Sequence, residues 1–234
     1  MAWHAKPSGG YGVNTTEGTD NINEVWAILQ SHGYTQEAAA GVLGNVKAES
    51  GLNPWRWQGD TFGTSRGYGL FQFTPASDYI NLPGATPNMS TSAQTTGATA
   101  ADGARQVDCF ANDELSKWVP SAWRPYWSTT TYADLYAKRA TWLSLYGSGN
   151  SITMAQFAAV TDIEAATFFM LACFEGAAKP NLNIRVSNAN EIYNIMSGGG
   201  GGGGGGGLHP NFKWLMIAMR NNYVPIKNIR GFHG

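Results

Sequence analysis

Glu49 is the acidic residue whose surroundings point most clearly to chemistry. It follows Val46 by three residues and Val42 by seven, so on a helix it shares the apolar stripe rather than the solvent face. A carboxyl group there is partly desolvated, and desolvation penalises the charged form. A general acid working near neutrality needs that property. The plainer alternative is a helix-terminal Glu whose carboxylate reaches water, the usual fate of this residue type. Gly51 and Pro54 end the helix at once, which sets the carboxyl at the rim of any adjoining cleft.

The elements that would position Glu49 are mostly helical. Asp20 is placed to cap a first helix with apolar positions Ile22, Val25, Trp26, Ile28 and Leu29, and Gly33 ends it. Thr35 caps a second helix that carries Ala39, Val42, Leu43 and Val46 at helical spacing and leads into Glu49. From Gly51 to Pro75 the period is lost, and glycines alternate with aromatics, a pattern that suits turns and a small hairpin or sheet. Helical patterning returns over 101–117, 132–146, 162–175 and 189–196, while 81–99 reads as a long surface loop. The expected fold is therefore α+β but mostly α, a helical lobe with a small irregular β lobe inserted early, and a cleft between lobes is a common place for a substrate. An extended arm is expected over 1–18 and the main domain over 19–197. The uninterrupted glycine run 198–207 reads as a flexible tether. Beyond it, 208–234 is basic and too short to fold alone, so it would dock onto the body, anchor to a partner, or begin another module.

Two motifs in order sharpen the reading. Glu49-Ser50-Gly51-Leu52-Asn53-Pro54 resembles the E-S-G-x-N-P string of the superfamily that unites lytic transglycosylases and goose-type lysozymes. Gly67-Tyr68-Gly69-Leu70-Phe71-Gln72-Phe73-Thr74-Pro75 is similar to the glycine-leucine-x-glutamine element that follows it there and lines the cleft. Together with Trp57-Gln58-Gly59, they most resemble the lysozyme domain of bacteriophage tail lysins. The resemblance is dense over 44–75 and thinner to about Met196. It implies a lysozyme-like fold, Glu49 as catalytic acid, peptidoglycan as substrate and a place at the phage tail tip among other tail proteins. Late in the body, Phe174-Glu175 looks like an aromatic-Glu element of such domains, although relatives often continue to proline where Gly176-Ala177 stands here.

For glycan cleavage the second group is the open question. Two-carboxylate glycosidases pair the acid with a partner about 5–5.5 Å away when retaining and about 6.5–9.5 Å when inverting. Asp60, eleven residues after Glu49 in the irregular lobe, is the candidate, set against an ordinary turn aspartate. Asp78 suits the start of a short helix better. Without a second carboxylate, Glu49 alone would protonate the glycosidic oxygen and then serve as base toward the muramyl 6-hydroxyl, the transglycosylase outcome. Substrate contacts are expected from Trp57, Gln58, Tyr68, Gln72 and Phe73. The aromatic rings among these equally suit a core, and Gln72 equally suits a buried amide bonded to backbone. A later group, Trp118, Trp123, Tyr126 and Trp127, offers the same choice.

Composition removes other classes. Charged residues are 13%, about half the roughly 25% of ordinary domains, and aromatics are 12%, so the chain is no disordered tail. A net charge of −1 supplies no basic field for nucleic acid, and no apolar run approaches membrane-spanning length. The N-terminus Met1-Ala2-Trp3-His4-Ala5-Lys6-Pro7 shows no secretory pattern, which suits a protein that stays inside the cell or leaves by assembly into a virion. Two cysteines, Cys109 and Cys173, allow one bridge or two buried thiols but no disulfide framework. Four scattered histidines argue against a metal site or a His-based triad, and no cofactor is expected. A glycan-binding module without catalysis and a structural tail component are the rival readings.

Overall fold

The computed structural model describes residues 2–91, 97–121 and 127–198. Trp123 and Tyr126, the glycine run after Gly198 and the basic segment 208–234 lie outside them. The chain divides after Tyr193, and the described residues up to Tyr193 are the first compact unit. Every residue of the site belongs to the first.

The described residues are mostly helical. The helices are α1 (Thr16–Ser31), α2 (Gln36–Ser50), α3 (Ala76–Ile80), α4 (Asp102–Ala111), α5 (Ala133–Tyr146), α6 (Met154–Ala158), α7 (Ile163–Phe169) and α8 (Leu182–Met196). A π-helical segment, Met170–Glu175, continues α7. None of these helices is long and apolar enough to cross a membrane. Helix α2 is the centre of the packing. Every residue from Ala38 to Val46 is buried, the mark of a helix covered all round rather than on one face. Helix α7 packs on it where Ala166 and Thr167 meet Gly41 and Thr167 O accepts from Asn45 Nδ2, and α1, with its buried Ile22, Val25, Trp26 and Leu29, packs on it as well. Thr35 caps α2 as its sequence predicts, its hydroxyl accepting from Ala38 N at 3.1 Å.

Three expectations are corrected. Helix α1 begins four residues before Asp20, because Thr15 is extended and accepts from Gly18 N at 3.1 Å. Asp20 lies inside the helix, and its carboxylate meets His4 Nε2 at 2.9 Å. Helix α8 starts at Leu182, seven residues ahead of the expected Ala189. Between Gly51 and Pro75 the described residues form no β lobe. Antiparallel pairing is reduced to isolated bridges, Trp57 with Tyr68 and Tyr68 with Phe73. Leu52, Gly59, Asp60, Gly69 and Gln72 all adopt positive φ, and a chain that turns left-handed every few residues cannot extend a ladder.

This irregular loop is held from beneath. The Gln106 amide of α4 accepts from Leu70 N at 2.7 Å and donates to Pro54 O and Asp102 Oδ2 at 2.9 Å each, so one buried side chain ties both ends of the loop together. Cys109 and Cys173 are both buried, and no disulfide joins them.

Candidate active site

Glu49 sits in the last turn of α2. Gly51 closes that helix with φ 61° and ψ 35°, a left-handed cap that glycine adopts without a steric penalty, and its N–H bonds back to Lys47 O. The Glu49 side chain retains 24% exposure and faces a cavity of about 260 Å³. Arg56, Gln58, Gln72 and Thr74 of the irregular loop line the same cavity. So does a second carboxylate, Glu175, from the end of the π-helical segment.

The partner of Glu49 comes from the far end of the chain. Arg185 of α8 is 6% exposed and donates from Nη2 to Glu49 Oε1 at 2.5 Å and from Nη1 to Asn45 Oδ1 at 3.0 Å. Asn45 is fixed in turn, its Nδ2 donating to Gly41 O at 2.8 Å and Thr167 O at 3.1 Å. Asn45 and Glu49 are i and i+4 on α2, so one guanidinium spans both. The approach needs Gly44, where a Cβ would fall 2.5 Å from Arg185 O and 2.7 Å from Ala189 Cβ. A buried guanidinium is tolerated only when paired and hydrogen-bonded. Oε2 of Glu49 has no hydrogen-bond partner among the described residues, so it is the oxygen available to a ligand.

The loop presents mostly polar groups to the cavity, with Trp57 the one aromatic residue of the loop among those that line it. Gln72 donates from Nε2 to Arg56 O at 3.0 Å and Gly69 O at 2.9 Å. Both amide protons are thereby spent on backbone, and Oε1 is left as an acceptor. Gln58 is exposed, and its Oε1 accepts from Gly67 N at 3.1 Å. Trp57, Tyr68 and Phe73 are at most 1% exposed. Trp57 packs edge-on to Phe62 at 4.9 Å and donates to Asn88 O, Tyr68 accepts from Asn88 N, and Phe73 stacks on Tyr79 at 5.1 Å. The Tyr68 and Phe73 rings support the loop from below, while Trp57, though buried, also borders the cavity. Trp118 and Trp127 are likewise buried, donating to Ile152 O and Ala177 O.

Asp60 is brought near the loop but does not line the cavity. Its Oδ1 is shared by Arg56 Nε at 2.6 Å and Gly9 N at 3.0 Å. Asp78, in the first turn of α3, pairs with Lys117 at 2.9 Å. Glu175 reaches the cavity because Phe174 anchors the π-helical segment, its ring lying edge-on to Phe71, Phe73 and Phe110. π-Helical insertions are frequent at functional sites.

Arg185 is the residue that sequence reading missed, although a signal existed. With Ala189, Ile192 and Met196 it forms the buried stripe of α8, and an arginine on an apolar stripe needs a buried partner. A larger cavity of about 730 Å³ lies between α5 and the start of α8, near the exposed Lys138–Glu164 pair, and includes none of the motif residues. Among the described residues no three His, Cys, Asp or Glu side chains converge as a metal site would require.

A family model described as phage tail lysozyme matches residues 20–196. The chain is also 44% identical over 70 residues to morphogenesis protein 1 of Bacillus phage B103, a match that takes in 30% of this chain and 19% of that protein.

Proposed function

The chain belongs to the phage tail lysozyme family, and from that premise we propose that it cleaves peptidoglycan strands between N-acetylmuramic acid and N-acetylglucosamine, with Glu49 as proton donor. The observation that carries this reading is the placement of Glu49. Its carboxyl closes a helix at the edge of a cavity whose wall is the loop that follows it in sequence. Arg185 donates to Oε1, which leaves Oε2 as the oxygen through which the carboxyl passes a proton to the glycosidic oxygen. As the bond to the leaving sugar breaks, the carboxylate that remains is stabilised by the same guanidinium. Gln72 Oε1 accepts from a sugar hydroxyl or acetamido N–H, and Gln58 lines the approach.

The second group in this reading is Glu175. It shares the cavity with Glu49, whereas Asp60 is bound by Arg56 and the Gly9 N–H. Hydrolysis then has Glu175 as the partner carboxylate, acting on water or on the developing cation. If Glu49 acts alone, the 6-hydroxyl of the muramyl ring attacks and an anhydro end results. The mostly helical body over 19–197 is the muralytic domain, on a lysozyme-like fold. The glycine run 198–207 is its tether and 208–234 its link to another module or tail protein. Its place is the phage tail tip, where local wall digestion opens a path during infection.

Purified peptidoglycan digested with the wild-type chain and with Glu49→Gln, followed by mass spectrometry of released muropeptides, tests the reading. Release by the wild type and a loss of about 10³-fold or more in Glu49→Gln is expected. Reducing muramic acid ends mean hydrolysis, and anhydro ends mean transglycosylation. Wild-type binding to sacculi with no release would leave a binding module in place of an enzyme.

A further inference from the structure

The matched family region starts at residue 20, yet the chain ahead of it is bound to the site. Asn21 of α1 accepts from His4 N and donates to His4 O, each at 2.8 Å, and donates also to Leu52 O at 2.8 Å. Asn53 repeats the pattern, with Oδ1 accepting from Lys6 N at 3.3 Å and Nδ2 donating to Lys6 O at 2.9 Å and Gly9 O at 2.8 Å. Gly9 N donates to Asp60, Tyr11 N donates to Gly51 O at 2.7 Å, and Lys47 Nζ donates to Tyr11 O at 2.6 Å. Gly10 lies so close to Gly51 that a Cβ on it would fall 2.6 Å from Gly51 Cα. Trp3 closes the other end against Gly103 of α4.

We propose that residues 3–11 are a strap that holds the turn after Glu49 in its working geometry, which makes the arm a positioning part of the catalytic machinery. The inference rests on the glycan-cleaving reading above. Gly51 and Leu52 take left-handed φ in succession, 61° and 64°. A leucine in that region is costly and persists only where its surroundings over-determine it. Here the strap supplies the determination. Without it Gly51 O loses its donor from Tyr11, and Asn53 keeps Trp55 N but loses Lys6 N, Lys6 O and Gly9 O. The effect reaches the cavity wall through Asp60, which Gly9 and Arg56 share. Asp60 and Asn53 thus act on the reaction as anchors of the strap. An unattached tail would have no reason to pack glycine on glycine beside the candidate acid.

Gly10→Ala and deletion of residues 2–11, each in the full chain, test this. Hydrogen exchange of the amides over 49–60 is followed alongside kcat and KM on solubilised glycan strands. The expected result is exchange at least tenfold faster over 49–60 with protection kept in α7, and kcat lowered about tenfold or more with KM within twofold, since displacement of a catalytic group falls on kcat. A synthetic peptide of residues 2–14 added to the deletion variant restores both. Wild-type exchange and wild-type kcat in both variants would overturn the proposal, and so would a uniform rise in exchange across α2 and α7, which marks general destabilisation. If the wild type itself releases no muropeptides, the glycan-cleaving reading fails, while the exchange pattern still decides whether the strap holds the turn.

Discussion

Replacing Arg185 with Met separates the charge of the guanidinium from its bulk. Met fills much of the same volume and keeps the apolar contacts of the stem. It leaves Glu49 without its charged partner and Asn45 Oδ1 without a donor. Removing one partner of a buried pair costs about 3–5 kcal/mol, and because Glu49 is 24% exposed, water recovers part of this and the low end applies. The orphaned Asn45 oxygen adds about 1 kcal/mol. The expected loss is about 3–4 kcal/mol, roughly 6–16 °C in Tm for a domain of this size. Urea unfolding followed by tryptophan fluorescence measures it. Glu49→Gln made in the Arg185→Met background should then be neutral or regain stability, because it removes the carboxylate that the first substitution left unpaired. The same change in the wild type should cost about 2 kcal/mol. A coupling energy of at least about 2 kcal/mol in that cycle is the signature of the pair. An Arg185→Met variant within about 0.5 kcal/mol of the wild type, or strict additivity, would refute the reasoning.

Gly41→Ala places a Cβ 2.7 Å from the backbone of Ala166 and Thr167, where neither helix can yield cheaply. The gain in helix propensity, about 1 kcal/mol, is outweighed by overpacking, so a net loss of about 2 kcal/mol is expected by thermal unfolding. A variant as stable as the wild type would show that α2 and α7 are not held that close. Alkaline pH tests the buried core. Burial first, then nearby carboxylates, raises the tyrosines Tyr34, Tyr68 and Tyr79 above their usual value of 10.0, and burial with Glu114 pushes the Cys109 thiol up to about 12. Each group holds its proton more tightly when folded, so its contribution is complete below the unfolded value, near 9 for the thiol and 10 for the phenols. That contribution is lost as pH rises from there toward the folded values. Urea midpoints should therefore fall above about pH 9, with phenolate absorbance appearing together with unfolding. Titration of all tyrosines near 10 with stability unchanged would contradict this burial.

The helix ends were legible where a local rule decides them. Thr35 caps α2 and Gly51 stops it, since both the hydroxyl cap and the left-handed glycine act within one turn of chain. The start of α1 is not legible locally, because Thr15 and Asp20 carry the same capping chemistry. Only the extended backbone at Thr15, with Asp20 drawn to His4, distinguishes them. Alternating glycine and aromatic residues suit a hairpin and a chain of left-handed turns equally well, so the sequence does not separate a β lobe from the irregular loop that forms. The rings of Trp57, Tyr68 and Phe73 were ambiguous for a related reason: apolar area suits a core and a sugar alike, and the choice depends on what packs above.

By itself the sequence determined the helix that carries Glu49, its stop, and the motif order that marks the family, because these depend on residues within a few positions of one another. Only the tertiary structure decided what surrounds the carboxyl. Arg185 lies 136 positions away, Glu175 arrives on a separate π-helical segment, and the strap returns from the N-terminus to Asn53 and Asp60. Contacts across such separations are set by helix packing and by the need to satisfy each buried polar group, and no local pattern encodes them.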